Sequence, residues 1–210
     1  MAESDRRFFT LRPLEFDLGD MLVQVVAVAL GVILGFSVTT WSERNHQREL
    51  LRQTVGNIVD ELRSNQIGLR QVMVEHTKAD RVMQALEARS LRSEYASFTD
   101  SRAAIQRAGA YRENVPLAIA WQIAQSDQGL TLLPYKDRYD LAWVYQVQTI
   151  YYEAESRYGT SLLTLTAAPN GNYLFEVVNL ANQLHVLVSA ERQLDTLYTA
   201  TLARVKREFP

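Results

Sequence analysis

From Met21 to Trp41 the chain reads MLVQVVAVALGVILGFSVTTW, 21 residues without a charge. As a helix rising about 1.5 Å per residue, that run is roughly 31 Å long, the thickness of a bilayer's hydrocarbon core. A core helix of a water-soluble protein keeps a polar face, whereas here the polar members are only Gln24 near one end and Ser37, Thr39 and Thr40 near the other. Asp17 and Asp20 bound the run on one side and Trp41, Glu43 and Arg44 on the other, so an interfacial aromatic and charges fall at headgroup depth. The chain therefore divides into a tail over residues 1–20, a transmembrane helix over 21–41 and a domain over 42–210. Five acids in the tail, and Ser37-Val38-Thr39-Thr40-Trp41 where a small-x-small cleavage site would stand, favour an uncleaved anchor over a signal peptide.

Ala27, Gly31 and Gly35 repeat at four-residue spacing, which gives the span one narrow stripe where a second helix can approach closely. Gln24 can add an interhelical hydrogen bond worth about 0.6–2 kcal/mol in such a setting, or equally snorkel to the interface. For orientation, Arg6, Arg7 and Arg12 before the span balance Arg44, Arg48 and Arg52 after it. Counting only the nearest ten residues places the carboxyl side in the cytoplasm, whereas the whole tail with its amino terminus argues for the reverse, a carboxyl domain on the periplasmic side, which is the orientation expected here.

Beyond the span, Leu51, Val55, Ile58, Leu62, Asn65, Leu69, Val72, His76, Ala79, Met83 and Leu86 follow at alternating four and three spacing, the seam of a heptad repeat. This predicts a helix over 42–89 continuing from the span. Gly56 and Gly68 cost about 1 kcal/mol each inside a helix, so the segment needs packing partners. Residues 90–112 read as a connection with one short helix from about Ser101 to Ala108. Asn114-Val115-Pro116 supplies a cap and a first-turn proline for a helix through Trp121 and Ala124 that Gly129 can end. Pro134 marks the next start. Leu141, Val144, Tyr145, Gln148, Tyr151, Tyr152 and Tyr158 continue a helical pattern to about Thr166, and the turn Ala168-Pro169-Asn170-Gly171-Asn172 leads to a last helix from Tyr173 to about Arg207. On that helix Glu191, Arg192, Asp195 and Arg204 are expected to face solvent. Strand signals are nearly absent, so the fold class is all-α: one N-terminal transmembrane helix followed by an irregular antiparallel helical bundle of four helices.

The chemistry is mostly excluded. With 22 basic and 24 acidic residues spread over the length there is no basic stripe for nucleic acid, and without cysteine there is no thiolate metal site, disulfide or thiol nucleophile. His46, His76 and His185 are scattered, and the single Glu43-x-x-His46 lacks the second pair that a di-iron bundle needs. Gly-x-Ser-x-Gly, a phosphate-cradling glycine loop and His-Glu-x-x-His are all missing. We expect no catalytic residue, no cofactor, no metal site and no enzyme. His76 and Asn65 read as core polar residues of the seam, and Asp60-Glu61 as a solvated face. An enzyme or ligand-binding bundle would need a polar cluster converging around His76, Asn65 or His185.

Six of the ten tyrosines lie between Tyr135 and Tyr158. Tyr145 with Tyr152, and Tyr151 with Tyr158, are each seven apart and form two aromatic stripes, suited to a contact surface or to core filling with hydroxyls at the rim. The interface candidates are thus Trp41, Tyr145, Tyr151, Tyr152 and Tyr158.

In Gly31, Val32, Leu34, Trp41, Glu43 and Arg44, and again in Trp121, Ala124, Gly129, Leu132, Leu133, Tyr139, Leu141, Tyr145 and Gln148, the chain resembles a loosely defined group of bacterial single-pass membrane proteins. These have an N-terminal span ending in a tryptophan and charged pair, followed by a helical region. Thr39-Thr40 stand where such proteins often carry asparagine. The resemblance covers about a quarter of the chain, implies the bacterial cytoplasmic membrane and supplies no activity. The expected function is a non-enzymatic structural or accessory subunit of a larger membrane complex, of the electron-transfer, photosynthetic or transport kind, with the lipid bilayer and other membrane subunits as partners. The alternative is a homo-oligomeric sensor or tether whose stalk is a coiled coil through Leu51 to Leu86.

Overall fold

A computed structural model of the chain describes residues 18–91, 112–167 and 173–209. The described residues are all-helical, with no strand among them, and contain four α-helices: α1 (Leu18–Leu91), α2 (Ile119–Ser126), α3 (Tyr135–Ala167) and α4 (Tyr173–Glu208). A 3₁₀ turn, Gln128–Leu132, joins α2 to α3. The chain separates into two compact units, with the boundary between Gln47 and Arg48.

The first unit is the beginning of α1. Thirteen large apolar side chains between Met21 and Trp41 stand 48–71% exposed, so nothing among the described residues covers them. The segment is long and apolar enough to cross a membrane. Two of its hydroxyls are satisfied within the helix: Ser37 Oγ donates to the Ile33 carbonyl at 2.8 Å and Thr39 Oγ1 to that of Gly35 at 2.9 Å. A polar group so paired adds little to the cost of leaving water.

The second unit is organised by the heptad seam. Val55, Ile58, Leu62, Asn65, Leu69, Val72, His76, Ala79, Met83 and Leu86 are all buried, and Leu51 is half-buried. The apolar members other than Val72 share a core with Val144, Tyr151 and Ala154 of α3 and Leu180, Leu184, Leu187, Leu194 and Tyr198 of α4. Partner numbers reveal the chain directions. Gln66 meets Asp195 and His76 meets Glu191, and Gln148 of α3 meets Tyr198 while Asp140 meets Arg204, so α4 runs opposite to both. Glu61 meets Tyr145 and His76 meets Tyr158, so α1 and α3 run the same way.

Residues 112–118 do not form the expected helix start. The helix begins at Ile119, and Asn114 and Pro116 lie in an extended lead-in. The backbone groups that a helix would have satisfied are taken by distant side chains: Glu155 Oε1 accepts the Asn114 N–H at 2.7 Å, and Asn65 binds both the N–H (2.8 Å) and the carbonyl (2.7 Å) of Leu117. Nor does Gly129 end α2, which closes at Ser126. Gly129 instead sits in the 3₁₀ turn against α1, where any side chain would collide with Thr54. Gly68 has a similar reason, since a Cβ there would come within 2.6 Å of Asn114 Oδ1. The start after Pro134 is as expected, with Asp137 and Arg138 N–H groups donating to the Pro134 carbonyl at 3.1 and 3.2 Å. The connection over 90–112 with its short helix and the turn at 168–172 lie outside the described residues, apart from the ends of α1 and of the lead-in.

Candidate functional site

The second unit contains a row of buried polar residues, each anchored across helices. At one level, Glu61 of α1 accepts from the Tyr145 hydroxyl (2.7 Å) and from the Ala120 N–H at the start of α2 (2.7 Å), while Trp121 stacks on the Tyr145 ring with centroids 4.9 Å apart. One turn further along α1, Asn65 holds Leu117. Beside it, Gln66 Nε2 donates to Asp195 Oδ1 (2.9 Å) and to Thr199 (2.8 Å), with Arg70 Nε on the same carboxylate at 2.7 Å. Gln148 Nε2 donates to the Tyr198 hydroxyl at 2.8 Å. Deeper in sequence, His76 Nδ1 lies 2.5 Å from Glu191 Oε1, with 3% and 1% of the two side chains exposed.

Burial dominates the electrostatics of this row. It pushes the Tyr145 hydroxyl far above its ordinary range, with the Glu61 carboxylate adding to the shift. It does the same to Tyr151, where Glu155 contributes, and to Tyr198. Tyr158, against the edge of the His76 ring, is pushed up to about 12. These phenols stay protonated; those of Tyr145 and Tyr151 donate, to Glu61 and to the Asn114 carbonyl, while that of Tyr198 accepts from Gln148. Glu155 is pushed up to about 7 by burial, although the Asn114 N–H and the Tyr151 hydroxyl favour its charged form. It titrates near neutrality while holding residue 114 in place.

Chemically this row is a set of latches. It fastens the 112–120 lead-in to α1 and α3 and sets the register of α4, because each buried polar atom tolerates only the arrangement that pairs it. Among the described residues no group of three or more His, Asp or Glu is placed to hold a metal ion. Asn65 and His76 are buried and paired as core polar residues, but in separate contacts, and His185 is exposed 3.8 Å from Asp80. Of the three, only His76 stands among other buried titratable side chains, those of Glu191, Glu155 and Tyr158.

The span residues Gln24, Ala27, Gly31 and Gly35 are all exposed, and a Cβ added at either glycine would meet nothing within 4 Å. Trp41 is exposed as well. The tyrosines divide. Tyr145, Tyr151 and Tyr158 are buried with 6%, 0% and 3% exposure, which corrects their reading as surface contacts: the hydroxyls of the first two are spent on Glu61 and the Asn114 carbonyl. Of the four candidate tyrosines, Tyr152 alone keeps an open face. Glu61 and Glu191, expected in solvent, are buried, and Asp195 and Arg204 are half-buried in ion pairs with Arg70 and Asp140.

Sequence reasoning missed Glu61, Glu155 and Glu191. A signal existed for two of them: Glu155 falls on the rhythm Leu141, Val144, Gln148, Tyr151, Glu155, Tyr158, and Glu191 on Leu184, Val188, Glu191, Leu194, Tyr198. It also missed an aromatic stripe on the open side of α3, formed by Tyr135, Tyr139, Trp143 and Ile150 at 75%, 60%, 46% and 45% exposure. Comparison with known proteins adds no relative: no family model, no curated protein and no solved structure matches the chain.

Proposed function

We propose that the chain is a single-pass protein of the bacterial cytoplasmic membrane, a non-enzymatic structural or accessory subunit of a larger membrane complex. Residues 21–41 anchor it, and the described residues from 48 onward form an irregular antiparallel bundle, on the periplasmic side if the charge of the amino terminus breaks the tie between the arginines. The observation that carries this reading is the uncovered apolar run with its open glycine stripe, a surface of a size that soluble monomers do not leave in water. The exposed Tyr135, Tyr139, Trp143 and Ile150 supply residue types enriched at protein contacts, in place of the buried tyrosines. The coiled-coil alternative is disfavoured because its seam, Val55 to Leu86, is already used by the chain's own α3 and α4.

Purification of the tagged chain from its native membrane in mild detergent, with mass spectrometry of co-purifying proteins, tests the proposal. A defined set of membrane subunits in stoichiometric amount is the expected result. A clean homo-oligomer refutes it and restores the sensor or tether reading.

A further inference from the structure

A groove of about 920 Å³ opens between α1 and the end of α4, within the second unit. Its walls are apolar, from Leu51, Val55 and Val59 on one side and Leu202, Val205 and Phe209 on the other. Its rim is cationic: Arg48, Arg52, Arg63 and Lys206 line it against the single carboxylate of Glu208. Arg63 is engaged by Asp60 at 3.1 Å, whereas Arg48, Arg52 and Lys206 enter none of the ion pairs among the described residues. Arg48 and Arg52 are one helical turn apart, so they stand side by side at the end of the groove nearest in sequence to Trp41.

Gly56 is the second observation. It lies in the interior of α1, where glycine costs about as much as any ordinary residue can. Gly68 and Gly129 are explained by Asn114 and Thr54, which fill the space a side chain would take; over Gly56 there is nothing within 4 Å, and the open space is this groove. The helix backbone is thus left bare on the groove wall, between the apolar strip and the arginines.

We propose that this groove binds one anionic phospholipid, its phosphate held by Arg48, Arg52 and Lys206 and an acyl chain laid over Gly56 along the Val55, Val59 and Leu202 wall. The inference rests on the membrane-anchored reading, which keeps the groove's arginines within a few helical turns of the end of the span in sequence. Charge complementarity selects the anion, and the apolar walls select a chain over a free phosphate. The volume falls in the range of small-ligand sites.

The test uses the full chain, purified in detergent and offered phosphatidylglycerol or phosphatidylcholine of matched acyl chains, with bound lipid read by native mass spectrometry. The expected result is one tightly retained phosphatidylglycerol and no retained phosphatidylcholine. Arg48→Gln with Arg52→Gln should weaken retention roughly thirty-fold, taking about 1 kcal/mol per cation at an anionic lipid surface. Gly56→Leu should abolish it while raising the thermal midpoint of the lipid-free chain, which separates a blocked groove from a damaged fold. Equal retention of both lipids, or phosphatidylglycerol binding unchanged in Gly56→Leu, overturns the proposal, the latter because the lipid then sits on the span. An acidic protein segment occupying the groove in the native preparation also overturns it. Failure of membrane anchoring itself shows separately, as chain recovered in the soluble fraction before detergent is added.

Discussion

Helix α1 carries two patterns on one backbone. From Met21 to Gln47 its side chains are exposed, valines and leucines included, and from Arg48 onward the same residue types are buried at four-three spacing while Arg52, Gln53, Asp60 and Arg63 face outward. The backbone does not distinguish these halves, since both hold the same i to i−4 hydrogen bonds. The solvent does. In water an apolar stripe is stabilised by removal from contact with water, so the second half recruits α3 and α4. In lipid that driving force vanishes, an all-round apolar surface is at rest, and association falls to close packing of small residues such as Gly31 and Gly35.

The largest expected effect comes from the buried pair that only the second half contains. His76→Leu or Glu191→Leu alone should cost about 3–5 kcal/mol in urea unfolding of the detergent-solubilised chain, because each leaves a buried polar partner stranded, and the double replacement should recover most of it. Additive losses would show that the two side chains are not coupled. Leu62→Ala, at a fully buried position, should cost about 3 kcal/mol, whereas Leu30→Ala, 54% exposed, should leave the unfolding midpoint unchanged. Charge reverses the ranking: Leu30→Arg should oppose insertion by about 3 kcal/mol and deplete the membrane fraction, while Ile67→Arg, on an exposed face of the second half, should do neither.

Smaller effects sharpen the account of the second unit. Glu155 has a folded pKa of about 7 against 4.5 for the unfolded chain, so the folded state holds its proton more tightly. Its contribution is fully present below pH 4.5 and is lost as pH rises through 7, a decline on the order of 2 kcal/mol. Glu155→Gln should flatten that part of the stability profile, and a profile identical to the parent's would contradict the assignment. Smallest is the glycine pair: Gly56→Ala should stabilise by up to about 1 kcal/mol, having open space above it, while Gly129→Ala should destabilise, having Thr54 there.

The legible parts of the fold were those encoded locally. Seam spacing in α1 and the punctuation at Pro134 are patterns within a few residues of the structure they cause, and the starts and ends of α3 and α4 were accordingly anticipated within a residue or two. What escaped depends on partners far along the chain. Asn114-Val115-Pro116 is a plausible helix start by itself, and only Asn65, 52 residues from Leu117, and Glu155, 41 from Asn114, hold it extended. Tyrosines spaced by seven define a stripe but not which side of the helix faces the core, so Tyr145 and Tyr151 could be read outward while Tyr139 and Trp143 went unnoticed. Glu191 holds a core position of its repeat, although its charge alone predicts a solvated face.

The absence of cysteine makes the central claim directly measurable, because any single introduced thiol reports alone. Cysteines placed one at a time from residue 22 to 63 can be probed in intact native membranes with a water-soluble maleimide. The account predicts no labelling through the apolar run to about Thr40, then labelling with helical period, strong at Arg52, Gln53, Asp60 and Arg63 and absent at Ile58 and Leu62. Labelling of residues 25–38 as readily as of Arg52 would contradict it, since the first half of α1 would then lie in water.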